Sequence, residues 1–361
     1  MLILRHADVA EILSGAEAST VDVVRAAYRL HDEGRTTVPQ STFLRFPHSD
    51  RDRIIGLPAY VGGPDPAAGF KWVASFPGNL DAGMPRASAV VVLNSLRTGQ
   101  PEALLEGSLI SATRTAASAA LAAGMLCDPA PAGVTLVGCG VINLAVLRFL
   151  RVTVPGLRAA VVYDTDPGRA AAFAARCAAL APELAVTTAP GLGRALAAHP
   201  LVSIATTATV PHLNLSPCPP GTVVLHVSLR DIYPETILAS QNVVDDADHV
   251  CRERTSVHLA EQQSGGRRFI DASIGQLIRG TVELRRAPDR PLVFSPFGLG
   301  ALDIALARSV VQTARRRGTG IDIDGFLPAG PEPAGPESTG PEPAGAPGDR
   351  ELAAATDGRA N

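Results

Sequence analysis

The segment Val134-Thr135-Leu136-Val137-Gly138-Cys139-Gly140-Val141-Ile142-Asn143 runs from an apolar strand through a G-x-G turn into the helical pattern of Leu144 to Arg151. Gly138 permits a tight turn and Gly140 lets the backbone approach a pyrophosphate. The following helix offers unpaired N–H groups and the positive end of its dipole. Asn143 stands where a third glycine would complete G-x-G-x-x-G, so the motif draws its weight from context. That context is Asp164, which ends the next apolar run near the roughly 20-residue interval at which an acid meets the ribose hydroxyls of a dinucleotide. A carboxylate there repels a 2′-phosphate, which favours NAD over NADP. Arg169, slightly further on, pulls the other way.

A second set of residues, Arg45, Lys71 and Arg114, lies earlier in the chain. Lys71 is the single lysine among 32 lysines and arginines, one compact ammonium kept in a chain that otherwise uses arginine. An ammonium shifts its pKa readily, whereas a guanidinium is a permanent planar fork for a carboxylate. Lys71 sits in the apolar stretch Gly69-Phe70-Lys71-Trp72-Val73, and Arg114 among the small residues of Ser111-Ala112-Thr113-Arg114-Thr115-Ala116. Both charges are costly to bury alone. A substrate carboxylate would serve as partner, and so would a structural Asp or Glu.

Asp231 follows the apolar run Val223 to Val227, at the rim where parallel sheets bind ligands. It is a candidate general base, or else a cap for a helix opening near Pro234. Arg230 beside it is a candidate extra cation. His226, His249 and His258 are weaker candidates for proton transfer.

The elements that must position these residues fall into two patterns. Before Cys127, an amphipathic stretch from Thr20 to His31 precedes serial strands at 41–46, 53–61, 69–76 and 87–96, with a Thr98-Gly99 turn leading into Glu102 to Glu106. Serial strands imply an antiparallel or mixed sheet. A helix over 108–125 follows, and then short apolar runs at 134–137, 159–163, 201–205, 223–227 and 243–244 alternate with helical stretches such as 167–180. That rhythm predicts βαβ units and a parallel sheet covered on both faces. The segment from Gly298 to Arg317 reads as a helix returning to the first sheet. The expected organisation is a Rossmann-like α/β domain at 128–300, inserted in an α+β substrate-binding domain made of 1–127 and 301–327. A Pro/Gly/Glu-rich tail, 328–361, is expected to be disordered.

Bulk properties limit the function classes. The composition is globular, 46% hydrophobic and 19% charged, and the net charge of -3 gives no basic field for nucleic acid. No apolar run reads as a membrane span or as the core of an export signal. Five separated cysteines show no metal-ligand spacing, so no metal is expected and a reducing, cytoplasmic setting fits.

Several segments together resemble the ornithine cyclodeaminase and mu-crystallin family, over the chain to about Leu327. They are the strand of Arg45, GFKWVASFPGN, LNSLRTGQPEALLEG, SATRTAASA, the VGCG turn and IATTAT. The resemblance implies a homodimer, with the site in the cleft between the two domains. It also implies substrate carboxylate contacts at Arg45, Lys71 and Arg114, joined here by Arg230, and acid–base work by Asp231 with Lys71. Gly138, Gly140, Val141, Ile142, Asn143, Asp164, Thr206, Thr207 and Ser228 are the expected cofactor contacts. RFPHSDRDRIIGLPAYVGG, HVSLRDIYPETIL, NVVDDADHVCRERTSVHLAEQ and FSPFGLGALDIA are similar to one branch, the N-(2-amino-2-carboxyethyl)-L-glutamate dehydrogenases, which form 2,3-diaminopropionate for siderophores or peptide antibiotics. Ornithine cyclodeaminases place glycine-rich residues just before the acid, where this chain has His226-Val227-Ser228-Leu229-Arg230. Cyclodeamination, reduction of an imine (ketimine reductase) and a mu-crystallin type of NADPH binding are the alternative functions.

Overall fold

The computed structural model describes residues 1–328. The expected tail lies, from residue 329 on, outside the described residues. The chain opens with Leu2–Leu4 (β1), His6–Leu13 (α1) and Glu17–Asp32 (α2). It then lays down Thr36–Thr37 (β2), Thr42–Phe46 (β3), Ser49–Val61 (β4), Ala67–Ser75 (β5), Ala87–Asn94 (β6) and Pro101–Glu106 (β7). Neighbouring strands from β3 to β7 pair antiparallel, while β1 joins β7 in parallel, so the sheet is mixed.

Register decides which side chains of this sheet meet. Leu57, Lys71, Val91 and Leu105 stand opposite one another across β4, β5, β6 and β7, and each is buried. Directly opposed residues project from the same face. Lys71 therefore shares a row with apolar side chains, and its polar partners must come from helices laid over that face. The opposite face carries Leu44, Tyr60 and Val90, all exposed, along with the half-buried Phe70 and Trp72.

Ser108–Leu126 (α3) links this sheet to the second one. With 19 residues and a hydropathy of 1.2, it has the length and composition to cross a membrane, contrary to the expectation that no segment would. Within the fold about two thirds of the helix is buried, as in the core helix of a folded domain. Its many alanines let neighbouring helices approach closely.

The second sheet is built from Gly133–Val137 (β8), Ala159–Tyr163 (β9), Ala185–Thr188 (β10), Leu201–Ile204 (β11), Val223–His226 (β12), Gln241–Val244 (β13), Ala272–Ser273 (β14) and Leu292–Ser295 (β15). Its connections include Val141–Thr153 (α4), Pro167–Leu180 (α5), Leu192–Leu196 (α6), Pro234–Ala239 (α7), Ala247–Val250 (α8), Ser256–Ser264 (α9) and Ile274–Arg279 (α10). All eight strands are parallel, in the order β10-β9-β8-β11-β12-β15-β13-β14. The strand order reverses direction at β8, the switch point at which open α/β sheets hold ligands beyond their carboxyl ends. This is the α/β, Rossmann-like architecture expected.

Gly300–Arg317 (α11) returns across β4, β5 and α3, and Ile321–Asp322 (β16) pairs with β1. A single buried cluster runs from Leu2 and Val91 through Leu121 and Leu147 to Leu225 and Phe294, and Met1–Ile323 is one compact unit. The two sheets are thus lobes of one body.

Candidate active site

The glycine turn lies at the carboxyl end of β8. Gly138 has φ +92°, and a Cβ on it would come within 2.4 Å of the Ala205 carbonyl oxygen after β11, so only glycine fits. Gly140 faces open space, with nothing within 4 Å of where its Cβ would stand. Among the described residues no side chain caps the first turn of α4, and Val141 in that turn is 65% exposed. Asp164 Oδ2 accepts from the Cys139 amide at 3.0 Å, tying the end of β9 to the turn.

Asn143 requires a correction. Expected as a cofactor contact, it is fully buried. Its amide donates to the Val137 and Gly138 carbonyls at 2.8 and 2.7 Å, and its Oδ1 accepts from Ser203 at 2.7 Å. All of its hydrogen-bonding capacity toward the protein goes into shaping the turn, which is why a glycine is not needed there.

Asp231 is also fully buried. Ser228 Oγ donates to its Oδ2 at 2.5 Å, and the Thr206 hydroxyl donates to Oδ1. His226 Nε2 lies 3.3 Å from both the Asp231 amide and its Oδ2, so the tautomer decides which it serves. Burial pushes the Asp231 carboxyl up, but the bonds from His226, Ser228 and Thr206 outweigh it and hold the group below the ordinary carboxylate range. The alternative of a helix cap fails, because the residue capping α7 is Tyr233. Thr206 and Ser228, expected to meet the cofactor, turn their hydroxyls to Asp231. Thr207 is exposed and Ile142 half-buried.

Lys71 Nζ donates to Ser111 Oγ at 3.0 Å and to Asp303 Oδ1 at 2.8 Å, and Arg114 Nε reaches the same oxygen at 3.1 Å. The structural carboxylate that the sequence left open as a partner is therefore present, on α11. Two cations against one carboxylate leave a net positive charge in a dry place, and among the described residues Asp303 Oδ2 has no hydrogen-bond partner. Burial, reinforced by Arg114, lowers the Lys71 pKa from 10.5 to about 8 against the opposing pull of Asp303. Gly298, with φ +94°, lies against the guanidinium: a Cβ there would be 2.5 Å from Arg114 Nη1. Asp245, after β13, accepts from the Phe297 and Gly298 amides at 2.8 and 2.7 Å and so pins that glycine in place.

Arg45 and Arg230 meet at a third point, Glu253. Arg45 Nη2 lies 2.7 Å from Glu253 Oε2, and Arg230 Nη2 donates to the Glu253 carbonyl at 2.9 Å.

The model of the ornithine cyclodeaminase/mu-crystallin family matches residues 2–318. The chain belongs to that family. Among curated relatives it is 27% identical to the N-((2S)-2-amino-2-carboxyethyl)-L-glutamate dehydrogenase of Staphylococcus aureus, over 90% of this chain and 98% of that one. Among solved structures, the Δ1-pyrroline-2-carboxylate reductase of Thermococcus litoralis, in complex with NADH and L-proline, aligns with a TM-score of 0.83 and 25% identity, covering 90% of this chain and all of that one. The structure of CmnK aligns with a TM-score of 0.83 and 29% identity, covering 91% of this chain and 99% of that one.

Of the three histidines weighed in this family member, His226 alone touches Asp231. His249 pairs with Asp246 at 3.0 Å, and His258 accepts from the Arg254 amide at 3.2 Å. Asp303, Asp245, Arg53 and Glu253 were not singled out from the sequence. Asp303 carried a signal, a lone carboxylate in Ala301-Leu302-Asp303-Ile304-Ala305-Leu306 at a position the helix buries. The others carried none, because ordinary charged residues in loops and strands reveal their partners only once the chain is folded.

Proposed function

We propose that this chain is an NAD-dependent dehydrogenase that oxidises the secondary amine of N-(2-amino-2-carboxyethyl)-L-glutamate, releasing L-2,3-diaminopropionate and 2-oxoglutarate for siderophore or peptide-antibiotic assembly. The observation that carries the reading is Asp231. It is an ionised carboxylate under two hydroxyls at the strand-end rim that also bears the glycine turn, in a fold shared with amino-acid dehydrogenases and reductases.

The residues present fit a dinucleotide. Gly140 leaves open space where a Cβ would point, no side chain among the described residues caps the first turn of α4, and Asp164 stands where ribose hydroxyls bind. When bound, NAD supplies a hydride acceptor for the substrate α-carbon. Lys71 and Arg114 hold the substrate carboxylate with the charge that Asp303 does not neutralise. The amine lone pair closes a C=N bond as hydride leaves, and the amine proton passes to Asp231 through the hydroxyl of Ser228 or Thr206. Water then adds to the imine carbon, the same carboxylate returns its proton to nitrogen and passes on the two protons of the water, and the C–N bond breaks as the C=O bond forms. The carbonyl stays with 2-oxoglutarate and the amine leaves as 2,3-diaminopropionate.

The protein works in the cytoplasm on a small molecule, as a homodimer. The apolar outer face of the first sheet, with Leu44, Tyr60 and Val90 at 43%, 38% and 39% exposure, supports the dimer. Purified protein with NAD+ and the conjugate should form NADH, 2-oxoglutarate and 2,3-diaminopropionate, followed by absorbance and mass spectrometry. Absence of all three overturns the reaction, and release of ammonia from ornithine without net NADH would make it a cyclodeaminase.

A further inference from the structure

The two lobes also meet at the end of α2. His31 on α2 places its Nε2 2.8 Å from Asp246 Oδ2, while its Nδ1 lies 2.7 Å from Thr36 Oγ1 on β2. Next to it, Arg279 of α10 donates to Asp32 Oδ2 at 2.6 Å. Asp246 uses its other oxygen within the second lobe, where Oδ1 accepts the His249 amide at 2.8 Å and caps α8. The ring of His249 turns back over the same oxygen, with Nδ1 3.0 Å away. One carboxylate thus lies between two imidazoles, one from each lobe.

This clasp sits one residue from the loop that shapes the carboxylate site. Asp245 is buried and accepts the Asp246, Phe297 and Gly298 amides at 2.9, 2.8 and 2.7 Å. The chain that carries the clasp and the chain that leads into α11 therefore hang from one carboxylate. The Phe297 ring packs beside His249, with ring centroids 6.3 Å apart. Gly298 follows and lies against the Arg114 guanidinium, and α11 then begins, with Asp303 in its first turn.

The contact between His249 and Asp246 is one of charge. Both ring nitrogens of His249 are buried without a hydrogen-bond partner among the described residues, so the 3.0 Å approach gains most when the ring is a cation. Burial pushes the Asp246 carboxyl up, but the pull of His249 and His31 outweighs it and holds the group well below the ordinary carboxylate range. The imidazole is accordingly the partner that titrates. Contact with Asp246 raises the His249 pKa above 6.5 against the cost of burial, helped by the charge of Asp245 and the Pro39 carbonyl of the first lobe. A raised folded pKa gives a contribution that is complete below the ordinary histidine value and is lost as pH climbs through the raised one.

We propose that His31, Asp246 and His249 are positioning residues for Arg114: they clasp the two lobes at the Asp245 loop, and opening the clasp frees Gly298 to leave the guanidinium. Affinity for the substrate carboxylate then falls as pH rises through the neutral range, while the hydride step is left alone. The link to the substrate rests on the reaction proposed above, whereas the clasp is a property of the fold.

Hydrogen exchange of the full-length, NADH-loaded protein reads the clasp without turnover. Protection of the Phe297 and Gly298 amides, corrected for intrinsic exchange, is expected to fall about tenfold between about pH 6 and about pH 8 in the unaltered protein. Asp246→Asn keeps an N-cap for α8 but loses the charge, and it and His249→Gln are expected to hold the low value at both ends of that range. His31→Leu, which unhooks the first lobe, is expected to lower protection throughout. Unchanged protection in β8 and unchanged NADH affinity, read by fluorescence, show that the variants are folded. A merely structural contact gives no step in the unaltered protein, so a flat profile there, or variants that keep the step, overturns the clasp. In turnover with the conjugate, KM should rise with pH in two steps, the upper one from Lys71 at about 8. Asp246→Asn should abolish only the lower step, by raising KM about tenfold at the acid end with kcat within about twofold. If the conjugate is not oxidised, the reaction fails and the exchange result alone decides the clasp. If it is oxidised and KM ignores the variants while protection responds, the clasp does not position Arg114 and the proposal fails.

Discussion

The Lys71 ammonium donates to Asp303 Oδ1 at 2.8 Å although 232 positions separate the two residues. Asp303 in turn receives Arg114 at 3.1 Å on the same oxygen. One carboxylate on α11 thus sets the spacing of two cations from β5 and α3, and the charge left over is what the proposed reaction assigns to a substrate carboxylate.

Asp303→Asn removes the charge that opposes burial at Lys71, so the Lys71 pKa should fall below its value of about 8. The alkaline limb of kcat/KM, where the ammonium is lost, should move down by about one pH unit or more, with KM affected more than kcat. A pH–rate profile with its alkaline limb unmoved would show that Asp303 does not govern this charge. Stability carries the same signature. Folding lowers the Lys71 pKa from 10.5, so the unfolded chain binds more protons between about 8 and 10.5, and the contribution of this group to stability rises with pH across that window. Lys71→Met abolishes that rise and lowers kcat/KM by roughly one to two decades.

Asp231→Asn keeps the shape of the side chain and removes the base, so kcat should fall by roughly two to four decades while NADH still binds. The amide must also face Ser228 and His226, which costs about 1 to 3 kcal/mol of stability where a donor is left without an acceptor. Stopped-flow measurement of the hydride step separates the two effects. Full kcat in a folded Asp231→Asn protein would remove the residue from the mechanism.

Gly298→Ala introduces a Cβ within 2.5 Å of Arg114 Nη1, at a residue with φ +94°. The guanidinium has to move, and the substrate KM should rise roughly tenfold or more while NADH affinity stays within about twofold. Equal losses for substrate and cofactor would mean that the whole loop, rather than Arg114 alone, has shifted.

If Asp164 holds the ribose as proposed, its carboxylate accepts two ribose hydroxyls and repels a 2′-phosphate, and kcat/KM with NAD should exceed that with NADP by about tenfold or more. Asp164→Ser should narrow the ratio. It should also lower the melting temperature, because the Cys139 amide loses an acceptor at 3.0 Å. Comparable kcat/KM for the two cofactors in the unaltered protein would refute the preference.

Local pattern alone determined much of this protein. Alternating burial in Ala87–Asn94, the helix of Pro167–Leu180 and the strand, G-x-G and acid series are short-range signals that depend on residues a few positions apart. They suffice for the parallel sheet, its glycine turn and the mixed sheet before it. What they cannot encode is who neutralises whom. Lys71 needed a partner on any reading of its sequence, but whether that partner was a ligand or Asp303 depended on how α11 lies across β5. Asn143 looked like a cofactor contact until burial showed all its bonds turned inward. Asp231 reached its place by strand order, yet its burial under Ser228 and Thr206 follows from β11 and β12 lying side by side. Charge pairing acts through space with no sequence period, so only the tertiary structure decided which carboxylates neutralise which cations within the protein.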